Sequence, residues 1–169
     1  MKARISKLLS IILLGFLVVG CSAASGSKLI GKPAPLSRVT LLDGDIVALD
    51  QFVGHGKPAV LAFWATTCSY SPRAIESLDR IAVKLKPQGV QFLAISIDKS
   101  DAIEKLHGMV KYREMKNLTH CYSGNDVYDE AYISYDGGEL PYFVVIDGQG
   151  TVVAAGNKAS VVEDYFKPS

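Results

Sequence analysis

Cysteine is the residue type here best suited to covalent chemistry, and the chain has three: Cys21, Cys68 and Cys121. Cys68 stands where a buried strand gives way to a helix. An apolar run from Ala59 to Trp64 precedes it, and a helical pattern from Pro72 to Leu85 follows it. The first turn of a helix carries unpaired backbone N–H groups and a partial positive charge. Both favour a thiolate over a thiol, and the thiolate is the form that attacks disulfides. The competing reading is a buried structural cysteine that behaves as a small hydrophobe. Three residues on, the Ser71 hydroxyl can donate a hydrogen bond to a Cys68 thiolate. Unlike a second thiol, it cannot release Cys68 from a mixed disulfide.

The elements that position these groups follow from the periodicity. Ile75, Leu78, Ile81, Ala82 and Leu85 recur at spacings of three and four, which predicts a helix with one apolar face. Ser71 is a candidate N-cap, with Pro72 at the first helical position, and Pro87-Gln88-Gly89 ends the helix. Val90 to Ile97 reads as a buried strand. Asp98 to Asp101 opens a second helix, with Ile103, Leu106 and Val110 facing inward. A short strand (Leu118 to Tyr122) and a short helix (Asp126 to Tyr132) come next. Tyr142 to Ile146 and Thr151 to Ala155 pair about Asp147-Gly148-Gln149-Gly150, and a helix from Ala159 to Phe166 closes the chain. Near the start, Ser37 to Leu42 and Ile46 to Leu49 flank Asp43-Gly44-Asp45, an N-terminal hairpin. Alternating strands and helices predict an α/β fold, with a central mixed sheet and helices on both faces. A chain of 169 residues suits one such domain.

The segment Phe63-Trp64-Ala65-x-x-Cys68, followed by a helix, resembles the active site of the thioredoxin superfamily. The nearest resemblance is to the TlpA-type thiol-disulfide oxidoreductases of the bacterial envelope. Gly31-Lys32-Pro33-Ala34-Pro35, the Asp43-Gly44 hairpin and Gly56-Lys57-Pro58 resemble the entry region of those proteins, and the likeness runs from about Gly31 to Phe166. It implies a thioredoxin-like fold over residues 31–169, with a strand and helix inserted before the last hairpin. It also implies that Cys68 and Ser71 are the catalytic positions, and that Pro141 is a cis-proline packed beside the active cysteine. Cis peptide bonds are very rare outside proline. Trp64, Tyr70, Leu140 and Pro141 are then the substrate-contact residues. The family usually has a second cysteine where Ser71 stands. It often has a buried carboxylate near the site as well, but the corresponding positions here are Ala62 and Ala74. Glu76 and Asp79 are expected on a solvated helix face.

Residues 1–20 read as a signal peptide: Lys2, Arg4 and Lys7 precede an apolar run from Leu8 to Gly20. Val18-Val19-Gly20-Cys21 resembles a bacterial lipobox, which implies cleavage before Cys21, lipid on that cysteine, and a tether over residues 21–30. The plain alternatives are an ordinary signal peptide or an uncleaved anchor. Without the three leader cations, 15 basic residues face 17 acidic ones, a net charge of −2. No basic patch points to nucleic acid. The expected partners are protein thiols or disulfides in the cell envelope, together with the membrane through Cys21. The expected location is a bacterial envelope membrane, facing the periplasm or the exterior.

Cys121 is a possible resolving thiol, because parallel strands end on the side of the Cys68 turn. The inserted strand is nonetheless expected at the sheet edge, which favours a buried apolar cysteine. His120 and Cys121 are neighbours on a strand and point to opposite faces, and His55 and His107 lack metal spacing. No metal or cofactor is expected. Tyr128, Tyr132, Tyr135 and Tyr142 read as packing before they read as a substrate surface. Three functions compete: monothiol exchange through Cys68, a binding module that keeps the groove without turnover, and a one-cysteine peroxidase. The last lacks the usual T-x-x-C, since Ala65 stands three residues before Cys68.

Overall fold

The computed structural model describes residues 27–168. The expected signal peptide, Cys21 and most of the expected tether lie outside the described residues. Among those residues, no helix is long and apolar enough to cross a membrane.

Among the described residues, seven strands and four α-helices form in the order β1 (Arg38–Thr40), β2 (Ile46–Ala48), β3 (Ala59–Trp64), α1 (Ser71–Leu85), β4 (Gln91–Ser96), α2 (Ile103–Tyr112), β5 (Thr119–Tyr122), α3 (Glu130–Ser134), β6 (Tyr142–Ile146), β7 (Val152–Gly156) and α4 (Ser160–Phe166). β1 and β2 pair as a separate hairpin. The other five strands form one sheet in the order β5-β4-β3-β6-β7. β3, β4 and β5 run parallel, whereas β6 and β7 are antiparallel. The mixed sheet, the N-terminal hairpin and the edge placement of the inserted strand match the sequence expectation.

β3 is the central strand, and all six of its residues are buried. Successive side chains on a strand point to opposite faces, so β3 feeds two cores. Val60, Ala62 and Trp64 meet Ile75 and Leu78 of α1, Leu106 of α2 and Val162 of α4. Ala59, Leu61 and Phe63 meet the β1 residue Val39 and the aromatic group Tyr132, Tyr135 and Tyr142. Three helices therefore cover one face, while the hairpin and the short α3 cover the other. The Phe63 ring lies 5.7 Å from Tyr132, 5.8 Å from Tyr135 and 6.4 Å from Tyr142, centroid to centroid. These three tyrosines are core, whereas Tyr128 is exposed.

Two local expectations change. Ser71 is the first residue of α1 rather than its cap; Tyr70 holds the cap position and no side chain caps the helix. The helix expected over Asp126 to Tyr132 divides into a 3-10 turn, Asp126–Tyr128, and α3. Asp129 separates the two and caps α3 by accepting the Tyr132 N–H at 2.8 Å.

Candidate active site

The end of β3 and the start of α1 bracket the loop that carries Cys68. Cys68 is half-buried, and its thiol donates toward the Leu140 carbonyl oxygen at 3.6 Å. Leu140-Pro141 is a cis peptide, so the loop before β6 packs beside Cys68 as expected. Leu140 is half-buried and Pro141 is buried. Gly137 keeps that loop close to α3: a Cβ there would lie 2.2 Å from Tyr132 ring carbons. The Tyr132 hydroxyl in turn donates to the Gly138 carbonyl.

Burial pushes the Cys68 thiol up, but the Ser71 hydroxyl and then the backbone N–H groups of Tyr70 and Ser71 outweigh it. The net effect holds the thiol below its ordinary value. This is the helix-entry effect anticipated for a cysteine at this junction. Ser71 is fully buried, at 0% exposure, and its Oγ has no well-aligned hydrogen-bond partner. A thiolate at Cys68 supplies the acceptor that this hydroxyl lacks.

Of the four expected substrate-contact residues, Tyr70, Leu140 and Pro141 surround Cys68. Tyr70 is 78% exposed and free to meet a partner. Trp64 does not belong with them. It is 0% exposed and packed in the α1 core, with its indole N–H unpaired. Alternation along β3 explains this, because Trp64 shares a face with Val60 and Ala62.

Cys121 is likewise set apart. It pairs with Ile95 of β4, which pairs with Phe63 of β3. Two strand spacings, about 10 Å, thus separate Cys121 from the β3 line that leads to Cys68. Burial, with a smaller contribution from Asp129, pushes its thiol up to about 12. Both cysteines are free. Cys121 is placed as a buried apolar residue, away from Cys68.

Two carboxylates, Asp79 and Asp98, differ from the sequence reading, whereas Glu76 lies at the surface as expected. Asp79 is buried rather than solvated and accepts from Asn117, at 2.7 Å from the backbone N–H and 2.8 Å from the side-chain amide. It ties α1 to the segment entering β5. Glu76 lies on the helix surface between Arg80 and Arg113, each at 2.9 Å. The more consequential group is Asp98, which sequence reasoning placed at a helix start. It is 4% exposed and accepts the Thr66 N–H at 2.9 Å, the Thr66 hydroxyl at 2.9 Å and the Ser96 hydroxyl at 2.7 Å. The signal was present in the register. Trp64 pairs with Ser96, so two further residues bring Thr66 beside Asp98. The carboxylate fixes the root of the Cys68 loop. A cleft of about 420 Å³ opens on the same side, lined by Ala65, Thr67, Asp98, Lys99, Asp101 and Asp126 among others. Among the described residues, no group of three His, Cys, Asp or Glu side chains is placed to hold a metal ion.

A central strand leading to a cysteine at a helix start, with a cis-proline loop beside it, defines a thioredoxin-like protein. Residues 30–155 match the AhpC/TSA family model. The thiol-disulfide oxidoreductases ResA of Bacillus thuringiensis and Bacillus anthracis are each 30% identical over 124 residues, covering 73% of this chain and 67% of theirs. Among solved structures, a thiol-disulfide oxidoreductase from Bacteroides fragilis superposes with a TM-score of 0.70 at 19% identity, covering 79% of this chain and 96% of that one. A thiol:disulfide interchange protein from Bacteroides sp. gives 0.66 at 23% identity, covering 80% and 86%. The chain belongs to the AhpC/TSA family, as a ResA-like member of the thioredoxin superfamily, and its relatives support thiol-disulfide oxidoreductase chemistry.

Proposed function

We propose that this chain performs thiol-disulfide exchange in the cell envelope as a membrane-anchored monothiol, with Cys68 as its single nucleophile. The observation that carries this reading is the Cys68 sulfur. It is accessible, held below the ordinary thiol value, and set against the Leu140 carbonyl beside Pro141. Ser71 stabilises the thiolate. Tyr70, Leu140 and Pro141 form the surface that receives a client chain. Ionisation removes the S–H donor and leaves the Leu140 carbonyl free to accept an N–H from that chain. Lipid on Cys21 is the proposed anchor, and protein thiols or disulfides are the proposed clients.

The test is to incubate the full chain with a disulfide-bonded protein, quench with acid and look for a mixed disulfide by non-reducing mass analysis. The expected adduct forms through Cys68 and is lost in Cys68→Ala. An unchanged adduct in that variant would refute the reading. Partner capture that resists reductant and does not need Cys68 would instead favour a binding module.

A further inference from the structure

We propose that the reaction matched to this site is disulfide isomerisation, in which the client itself supplies the thiol that releases Cys68. This inference rests on Cys68 attacking protein disulfides, as proposed above. Three observations lead to it. Ser71, fully buried and without a hydrogen-bond acceptor, is directed at stabilising the Cys68 sulfur and cannot displace it. Cys121 lies two strands away, buried, with its thiol pushed up to about 12, so it is almost wholly protonated at neutral pH. The cleft beside the loop carries Asp98, Asp101 and Asp126, and its Lys99 is already paired with Asp126 at 3.7 Å. Glutathione, a small thiol that brings two carboxylates and one ammonium group, gains no net attraction from that lining. A thiol held in the client meets none of these obstacles and is local to the bond it must break.

The cycle balances without a redox partner. The Cys68 thiolate attacks sulfur A of a client disulfide A–B. The Cys68–A bond forms, A–B breaks and B leaves as a thiolate. Thiolate B attacks a second client disulfide, C–D, forming B–C and releasing thiolate D. Thiolate D attacks A, forming A–D and returning Cys68 as a thiolate. Two disulfides enter and two leave, so no electron or proton is gained or lost. A low thiol pKa serves both ends of this cycle, because it raises the thiolate fraction for attack and makes Cys68 a good leaving group.

The test uses the full chain in detergent with scrambled ribonuclease A, whose cysteines are paired in disulfides at random, and no added reductant. The expected result is recovery of several equivalents of active ribonuclease per Cys68, absent in Cys68→Ala. The Cys21→Ser variant should retain the turnover, and peptide mapping should find no Cys68–Cys121 disulfide during it. Mapping reads Cys121 without disturbing the core. Recovery that stops at one equivalent or fewer while the Cys68 mixed disulfide accumulates would overturn isomerisation and leave monothiol attack intact. Loss of turnover in Cys21→Ser, or an accumulating Cys68–Cys121 disulfide, would overturn the client as resolving partner. Absence of any Cys68 adduct would overturn both readings.

Discussion

The Cys68 thiol meets the Leu140 carbonyl oxygen at 3.6 Å, across seventy-two residues of sequence. The contact joins the loop after β3 to the loop before β6, and it exists because those strands are antiparallel neighbours in the sheet. The Cys68 sulfur thereby sits against a backbone acceptor, beside the surface proposed to receive a client chain.

Ser71 is expected to control ionisation of Cys68, since it is the foremost of the groups that lower the thiol. Ser71→Ala should move the midpoint of Cys68 alkylation to higher pH. Ser71→Cys should restore a dithiol site, measured as a disulfide between Cys68 and the introduced thiol and as a shorter lifetime of the client adduct. A midpoint unchanged in Ser71→Ala would remove the serine from the account.

Trp64 and Tyr70 should separate stability from recognition. Truncating a fully buried aromatic costs about 3–5 kcal/mol, so Trp64→Ala should lower the unfolding midpoint sharply. Trp64→Phe should be milder and leave the alkylation rate of Cys68 within about twofold. Tyr70→Ala, at an exposed position, should leave the unfolding midpoint nearly unchanged and slow adduct formation with protein disulfides.

Asp98 should behave as the anchor of the active loop. Asp98→Ala leaves the Thr66 N–H and two buried hydroxyls without their acceptor. The expected cost is on the order of 3 kcal/mol, with a smaller loss for Asp98→Asn. Denaturant unfolding followed by the fluorescence of Trp64, the single tryptophan, measures it.

Stability should fall toward both pH extremes. In the folded state Cys121 ionises only at about 12, against about 8.5 for an ordinary thiol. Above that ordinary value the unfolded chain loses a proton that the folded chain keeps, so stability drops as pH rises, by up to about 1.4 kcal/mol per pH unit. Cys121→Ala should flatten this slope. On the acid side, burial lowers the His120 pKa, with opposing contributions from the Met115 carbonyl and Asp79. Its charging therefore favours the unfolded chain once pH falls below about 6.5. Thermal unfolding across pH reads both limbs.

How legible the protein was depended on where the signal lay. The β3 run, the α1 stripe and the Tyr142 to Ile146 strand carry strong periodicity, so they and the position of Cys68 followed from sequence. The cis bond at Pro141 followed from resemblance. Trp64 was misplaced because a motif names neighbours without saying which face of a strand they occupy. Asp79 and Asp98 were missed because a carboxylate reads as solvated until the partner that satisfies it is known. Their partners, Asn117 and Thr66, lie thirty-eight and thirty-two residues away, and only the tertiary fold brings them together.

The most direct test of the central claim is the pH dependence of Cys68 alkylation in the native full chain, read peptide by peptide so that each cysteine is followed separately. The account predicts a Cys68 midpoint below about 8.5, with buried Cys121 protected. A Cys68 midpoint at or above that value, or a Cys68 that resists labelling until the chain unfolds, would contradict it.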